Sequence, residues 1–300
     1  MPVMSDWIAE IPGVQRDEPL AKHSQYGIGG PADWYVEIGD VETLADVVKR
    51  CHQHGAPVSV VGAGSNTLIA DAGIRGMVVH LTGKSWRAVD ETVRVQAAVM
   101  MPRLALDLAK QGVAGMEFGI GVPGTVGASV RGNAGAFGTE INDCLINCTS
   151  VGPDGEVGTH TAAECAFSYR QSAFKSGELR GHIVAEASFT VHPDDPAATK
   201  ARTDAIQASR KSSQPYGIKS LGSVFTNPPG DHAGRLIEAA GLKGLRIGGA
   251  EISTKHANFI VNVSGATAAD VLALANRAHD QVLEQFGVDL EREIVVMGEW

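Results

Sequence analysis

Two glycine-rich segments carry residue types and spacings that could do chemistry. The first, Gly62-Ala63-Gly64-Ser65-Asn66, follows an apolar run, as a phosphate-binding loop should. Glycines let a backbone approach a pyrophosphate closely, and successive N–H groups form an anion nest. The segment is not the Gly-x-Gly-x-x-Gly dinucleotide fingerprint, because position 67 is Thr and 66–69 reads as a strand rather than a helix. Nor is there a Gly-Lys-Ser/Thr Walker signature. The second segment is Gly119-Ile120-Gly121-Val122-Pro123-Gly124-Thr125-Val126-Gly127-Ala128-Ser129, continuing through Asn133-Ala134-Gly135-Ala136-Phe137-Gly138. Such a density of small residues in a would-be core removes packing volume and weakens both helix and strand. A flat ligand filling the space accounts for that cost; for one loop alone, a tightly packed glycine hinge accounts for it better. Two such loops point to a nucleotide cofactor.

Other chemistries find less support. The four cysteines (Cys51, Cys144, Cys148, Cys165) are spread out, and the pair at 144 and 148 has no second pair or nearby ligand histidines. Zinc is therefore not expected, and reduced thiols are. His23, His52, His54, His80 and the remaining histidines show no ligand spacing, so no metal is expected. A net charge of −9 argues against binding a nucleic-acid backbone, which needs clustered Lys and Arg, but leaves room for a local cationic pocket. The start, Met-Pro-Val-Met-Ser-Asp-Trp, has no basic region followed by an apolar run, so no signal peptide is expected. The longest apolar stretch, 118–130, is broken by glycines and Pro123 and is too short to span a bilayer. Cytoplasmic location is the expectation.

The elements that must position these loops follow from periodicity. Asp40 can cap a helix whose Leu44, Val47, Val48 and Cys51 share one face, ended by Gly55. Strands are expected over 56–61, 76–81, 92–99, 145–151, 182–191, 259–263 and 293–297, and a helix opened by Pro102 and stopped by Gly112. Further helices are expected over 198–211, 233–240 and 268–286, the last with Val271, Leu274, Ala275, Ala278 and Val282 on one face. His192-Pro193-Asp194-Asp195-Pro196 is the best domain boundary, with two prolines and two acids between periodic segments.

The segments Gly62-Ala63-Gly64-Ser65-Asn66-Thr67-Leu68 and Gly121-Val122-Pro123-Gly124-Thr125-Val126-Gly127 resemble the two flavin-cradling segments of the vanillyl-alcohol oxidase family. Within it, the chain is similar to the UDP-N-acetylenolpyruvoylglucosamine reductases. The likeness continues through Phe167-Ser168-Tyr169-Arg170-Gln171-Ser172, Gly222-Ser223-Val224-Phe225-Thr226-Asn227-Pro228, Lys255-His256-Ala257-Asn258 and Leu290-Glu291-Arg292-Glu293. No single motif decides it; their order over about 24–297 does. The resemblance implies an α+β fold: a two-part FAD-binding domain of the vanillyl-alcohol oxidase type over 1–195, then a smaller α/β substrate-binding domain over 196–300. The last strand of that second domain would return a glutamate to the active site.

It also implies an activity. NADPH reduces bound FAD, and the enolpyruvyl ether of UDP-N-acetylglucosamine enolpyruvate is then reduced to the lactyl ether of UDP-N-acetylmuramate, a peptidoglycan precursor. By the same resemblance Arg170 stabilises the developing enolate, Glu293 assists, and Ser223 donates the proton. The alternation of Glu293 with Val295 and Met297 favours Glu293 over Glu291 as the carboxylate that faces inward. Gly62, Ala63, Gly64, Ser65, Asn66, Thr67, Gly121, Pro123, Gly124, Thr125, Gly127, Ala128, Asn133 and Gly135 are the implied flavin contacts. Tyr169 and Asn227 are implied at the substrate's nucleotide portion. Ser213 stands where some relatives carry a lysine, and Lys211 is the candidate cation two residues earlier. No histidine lies in either loop, so FAD should be non-covalent. His256 is expected to order backbone rather than titrate. The expected protein is a monomer that meets neither nucleic acid nor membrane. Another FAD-dependent oxidase of the same fold, or a nucleotide-sugar-binding protein without catalysis, are the competing interpretations.

Overall fold

The computed structural model describes residues 6–300; the first five residues, where no leader is expected, lie outside the described residues. The fold is α+β and divides into two compact units. One holds the residues up to Arg16 with Trp34–Ala63 and Gly76–Ser209; the other holds Asp17–Asp33, Gly64–Arg75 and Arg210–Trp300. The units therefore part between Ser209 and Arg210, inside helix Pro196–Ser213, and not at 195. Nothing in that polar helix breaks it at the boundary, so its start at Pro196 marks an element edge rather than a unit edge. The early segments join the C-terminal residues because Tyr26, Ile28 and Leu68 are buried in the C-terminal core, and Thr67–Ile69 pairs in parallel with Val295–Met297. Parallel pairing joins strands remote in sequence, so local patterns do not reveal it.

The first unit contains two cores. In one, helix Val41–Gln53 lays Leu44, Val47, Val48 and Cys51 against Trp34, Val36, Ile38, Met77 and Val79. Asp40 caps that helix, its Oδ1 accepting from Thr43 N at 2.7 Å. Strand Val58–Val61 runs parallel to Ile74–Leu81 and delivers the chain into the first glycine loop. The other core lies on an antiparallel sheet ordered Val157–Thr161, Leu145–Val151, Ile183–Thr190, Thr92–Gln96, Trp86–Val89. Its inward residues Val93, Val95, Ala187 and Phe189 pack with Met101, Leu104 and Leu108 of helix Met101–Lys110 and with Val126 and Val130.

The second glycine segment contains a helix, Val126–Gly132, that propensity conceals. Thr125 caps it, Oγ1 accepting from Ala128 N at 3.4 Å, and Val126, Ser129 and Val130 are buried, so tertiary packing outweighs the glycine penalty. The second unit is built on a three-stranded antiparallel sheet, Arg246–Ile247, Ala250–Ile252 and Ile260–Asn262. Helix Ala268–Phe286 packs on it through the five residues expected, between a Thr267–Asp270 capping box and Gly287 at φ 67°. The last strand is Val295–Met297; Glu293 precedes it, because the chain there pairs with 224–225 instead. All four cysteines are buried free thiols. Among the described residues, no helix is long and apolar enough to cross a membrane.

Candidate active site

Arg170 sits in a tight turn. Ser168 and Gln171 exchange main-chain hydrogen bonds, Ser168 N to Gln171 O at 3.2 Å and Gln171 N to Ser168 O at 3.0 Å, which leaves Tyr169 and Arg170 at the tip. Arg170 has φ 57°, a left-handed conformation that costs a side-chain-bearing residue roughly 1–3 kcal/mol. The surroundings hold it there. Its Nη2 donates to Gly135 O at 2.9 Å, and its Nη1 donates to Asn133 O at 3.4 Å and to Glu140 Oε1 at 3.3 Å. Lys175 Nζ donates to Arg170 O at 2.6 Å, and the guanidinium lies 4.9 Å from the Tyr169 ring centre. About 19% of the Arg170 side chain stays accessible, enough to meet a ligand, while Tyr169 is exposed. The result is a fixed cation at the mouth of the second glycine segment.

The glycines of that segment have a different cause from the one their number suggests. A Cβ on Gly121 would stand 2.5 Å from Ala136 Cβ, and one on Gly127 would stand 2.8 Å from Ala97 Cβ. At Gly121 and Gly127 the missing volume is taken up by the protein's own neighbouring chain, whereas a Cβ on Gly132 or Gly138 would meet nothing within 4 Å. The two loops do meet: a Cβ on Gly62 would lie 3.1 Å from Thr125 Oγ1. What suits FAD is the surface. Residues 62–66 form a run of bends with no side chain larger than Asn, so backbone defines that surface. Pro123 and Ala128 are exposed, Gly62, Ala63, Gly121 and Gly135 are half-buried, and Gly64, Ser65, Gly124 and Thr125 are buried. Of the expected flavin contacts, Asn133 is 1% exposed and its side chain is engaged within the protein.

The segments that carry Ser223 and Glu293 come together through main chain, with Val224 opposite Glu293. Glu293 N donates to Val224 O at 2.8 Å, and Thr226 N donates to Glu291 O at 2.9 Å, so 223–226 and 291–293 run side by side. On the other flank, Val224 N donates to Asn258 O at 2.8 Å. The buried Asn258 side chain mimics a strand, accepting from Phe225 N at 3.0 Å and donating to Phe225 O at 2.8 Å. Asn66 of the first loop donates through Nδ2 to Glu293 O at 3.1 Å, and its carbonyl accepts from Val295 N at 2.9 Å. Both Ser223 and Glu293 are half-buried on this brace. Asn227 is exposed, its Oδ1 accepting from Ala233 N at 3.1 Å to start helix Ala233–Ala239. Lys211 is exposed in the last turn of its helix, with Nζ 5.4 Å from the Tyr216 ring and its carbonyl accepting from Lys255 Nζ at 2.7 Å. His256 accepts at Nδ1 from Asn258 N at 3.3 Å, and burial holds its pKa below the ordinary histidine value, so it is neutral and orders backbone.

Sequence reasoning missed Glu140, Lys175 and the particular part played by Asn258. The last lay within a matched segment; the first two carried no signal, since neither spacing nor periodicity ties them to Arg170.

Residues 32–160 match the family model described as the FAD binding domain, and 214–297 match that of the UDP-N-acetylenolpyruvoylglucosamine reductase C-terminal domain. Fold and matched regions together define an FAD-binding oxidoreductase with a separate C-terminal domain. UDP-N-acetylenolpyruvoylglucosamine reductase 2 of Symbiobacterium thermophilum is 42% identical over 294 residues, 97% of this chain and 94% of that one. The Rubrobacter xylanophilus reductase is 42% identical over 292 residues, covering 96% of this chain and 97% of that one. The crystal structure of the reductase from Thermus caldophilus superposes with a TM-score of 0.80 at 34% identity, covering 95% of this chain and 98% of that one. The chain belongs to the UDP-N-acetylenolpyruvoylglucosamine reductase family.

Proposed function

We propose that the protein reduces UDP-N-acetylglucosamine enolpyruvate to UDP-N-acetylmuramate in the cytoplasm, as a monomer, with NADPH as reductant and non-covalent FAD. The observation that supports this is the main-chain pairing of Val224 with Glu293, which lays the segment carrying Ser223 alongside the segment carrying Glu293. Near-full-length likeness to proteins named as reductases supports it. Relay of a hydride from NADPH to the substrate's alkene is the chemistry that bound FAD supplies. Residues 62–67, with Gly121, Pro123, Gly124, Thr125, Gly127, Ala128 and Gly135, would hold it, mainly through backbone.

The chain's own residues answer what hydride addition demands. Negative charge develops on an enolate conjugated to the substrate carboxylate, and a preorganised cation stabilises such charge at no reorganisation cost. Arg170 meets that need, being always charged, planar, and already fixed by Gly135, Asn133 and Glu140. Ser223 Oγ gives the proton to the carbanion carbon, and Glu293 supports the enolate from the adjoining segment. A serine hydroxyl is a weak acid, and it serves here because the carbanion is a strong base held against it. Tyr169, Asn227 and Lys211 contact the nucleotide portion.

Purified protein should be yellow, lose its colour with NADPH under anaerobic conditions, and regain it on adding the enolpyruvyl substrate. Colour returning only with oxygen would point to an oxidase of the same fold. A colourless protein that still binds UDP-sugars would point to a non-catalytic binder, and either outcome sinks the proposal. Release of intact FAD by denaturant checks non-covalent binding.

A further inference from the structure

The Asn133 side chain is expected at the flavin, yet its polar atoms are turned inward. Nδ2 donates to Glu140 Oε2 at 2.8 Å and to Ser168 O at 2.9 Å, which uses both amide hydrogens, and Oδ1 accepts from Asn142 N at 3.0 Å. Its backbone, at φ 44°, ends helix Val126–Gly132 and turns its carbonyl to Arg170 Nη1 at 3.4 Å. Glu140 is organised as tightly. One carboxylate oxygen faces Arg170 and the other faces Asn133, while Glu140 N donates to Asp143 Oδ2 at 2.8 Å in a reciprocal cap of the following turn. The carboxylate thus bridges the cation and the amide that anchors the turn carrying Ser168.

We propose that Glu140, held by Asn133, is a positioning residue for Arg170, and that the Asn133 side chain serves the arginine rather than the flavin. The inference rests on Arg170 being the enolate-stabilising cation. The acceptors matter chemically. Arg170 and Asn133 both present N–H groups to position 140, so it must offer two acceptor oxygens. A glutamine there offers one acceptor and one amide group, which meets one of the two donors head-on. Where that donor is the guanidinium, it loses its bond to the side chain at position 140, while the Asn133 and Gly135 carbonyls still accept from it. Misplacement of a catalytic group by an ångström can cost about 10²-fold in rate.

The test compares holoenzyme variants Glu140→Gln, Asn133→Gly and Arg170→Ala in the two half-reactions, with flavin content and melting temperature measured alongside. Glycine at 133 tolerates the left-handed backbone and removes only the side-chain bonds. Expected for Glu140→Gln and Asn133→Gly are wild-type flavin content, flavin reduction by NADPH within about twofold of wild type, and reoxidation by the enolpyruvyl substrate slowed about 10- to 10²-fold. If both reoxidise at the wild-type rate while Arg170→Ala is slow, the positioning role is wrong and the arginine's role stands. If Arg170→Ala also reoxidises normally, the underlying assignment fails and this one with it. Loss of flavin in Asn133→Gly would return that side chain to the cofactor and overturn the proposal.

Discussion

The two regions that carry the candidate catalytic groups are made rigid by different means. Around Arg170 side chains share the work: the Glu140 carboxylate and two main-chain carbonyls bond the guanidinium, the Lys175 ammonium bonds the Arg170 carbonyl, and the Asn133 amide holds Ser168 of the same turn. Around Ser223 and Glu293 it falls to main chain, with 223–226 laid between 256–258 and 291–293 like a strand in a small sheet. A cation must be aimed, and its long, flexible side chain needs several anchors to be fixed. A hydroxyl one bond from the backbone is aimed once the backbone is set. The Arg170 region should therefore lose chemistry without losing stability, and the Ser223 region should lose both when its brace is cut.

The sharpest test of that contrast is substitution of the groups themselves. Ser223→Ala should slow flavin reoxidation by the enolpyruvyl substrate by roughly 10²- to 10⁴-fold, the usual contribution of a positioned acid, with NADPH reduction nearly intact. Arg170→Lys keeps the charge but loses the fork, and should slow the same step by about 10²-fold with little change in melting temperature. Stopped-flow traces of the two half-reactions decide both; a fast second half-reaction in either variant breaks the assignment.

A smaller effect is expected from the brace. Asn258→Leu leaves the Phe225 N–H and C=O buried and unpaired, at roughly 1–3 kcal/mol each. Calorimetry should show a drop in melting temperature of several degrees, in contrast to Glu140→Gln. An unchanged melting temperature would show that the Ser223 segment is held by something else.

The smallest effect concerns pH. Burial lowers the pKa of His256 in the second unit, and burial followed by the charge of His160 lowers that of His182 in the first. Each folded value lies below the unfolded value of about 6.5, so stability is complete above that pH and declines as acid protonates the unfolded chain preferentially. His279 acts in the opposite direction, raised by Asp280 and then by Asp289; its contribution is present below about pH 6.5 and fades above it. Melting temperature should fall from about pH 7.5 to about pH 5.5, and fall further in His279→Asn. A rise on acidification in that variant would contradict the assignment.

Much of the fold was legible in the chain because its signals are local. Asp40 and the apolar positions after it specify one helix, and Thr267, Asp270 and Gly287 bracket another. Helix Val126–Gly132 was not legible, since it is stable only where Val126 and Val130 bury into a core the local sequence does not contain. The groups proposed for the site were named from ordered motifs, and their supports carried no local signal. Glu140 looks like an ordinary acidic residue until the turn at 168–171 folds back over it. The glycine count pointed to a cofactor, while at Gly121 and Gly127 the missing side chains make way for Ala136 and Ala97.

The sequence by itself determined the family and most helices, because caps, periodicity and motif order lie within short stretches of chain. Tertiary structure alone decided which strand runs beside which, that 64–75 joins residues beyond 210, and that an asparagine and a glutamate bond an arginine thirty residues or more away. Those outcomes depend on contacts between segments distant in sequence, whose energies exist only once the chain has closed on itself.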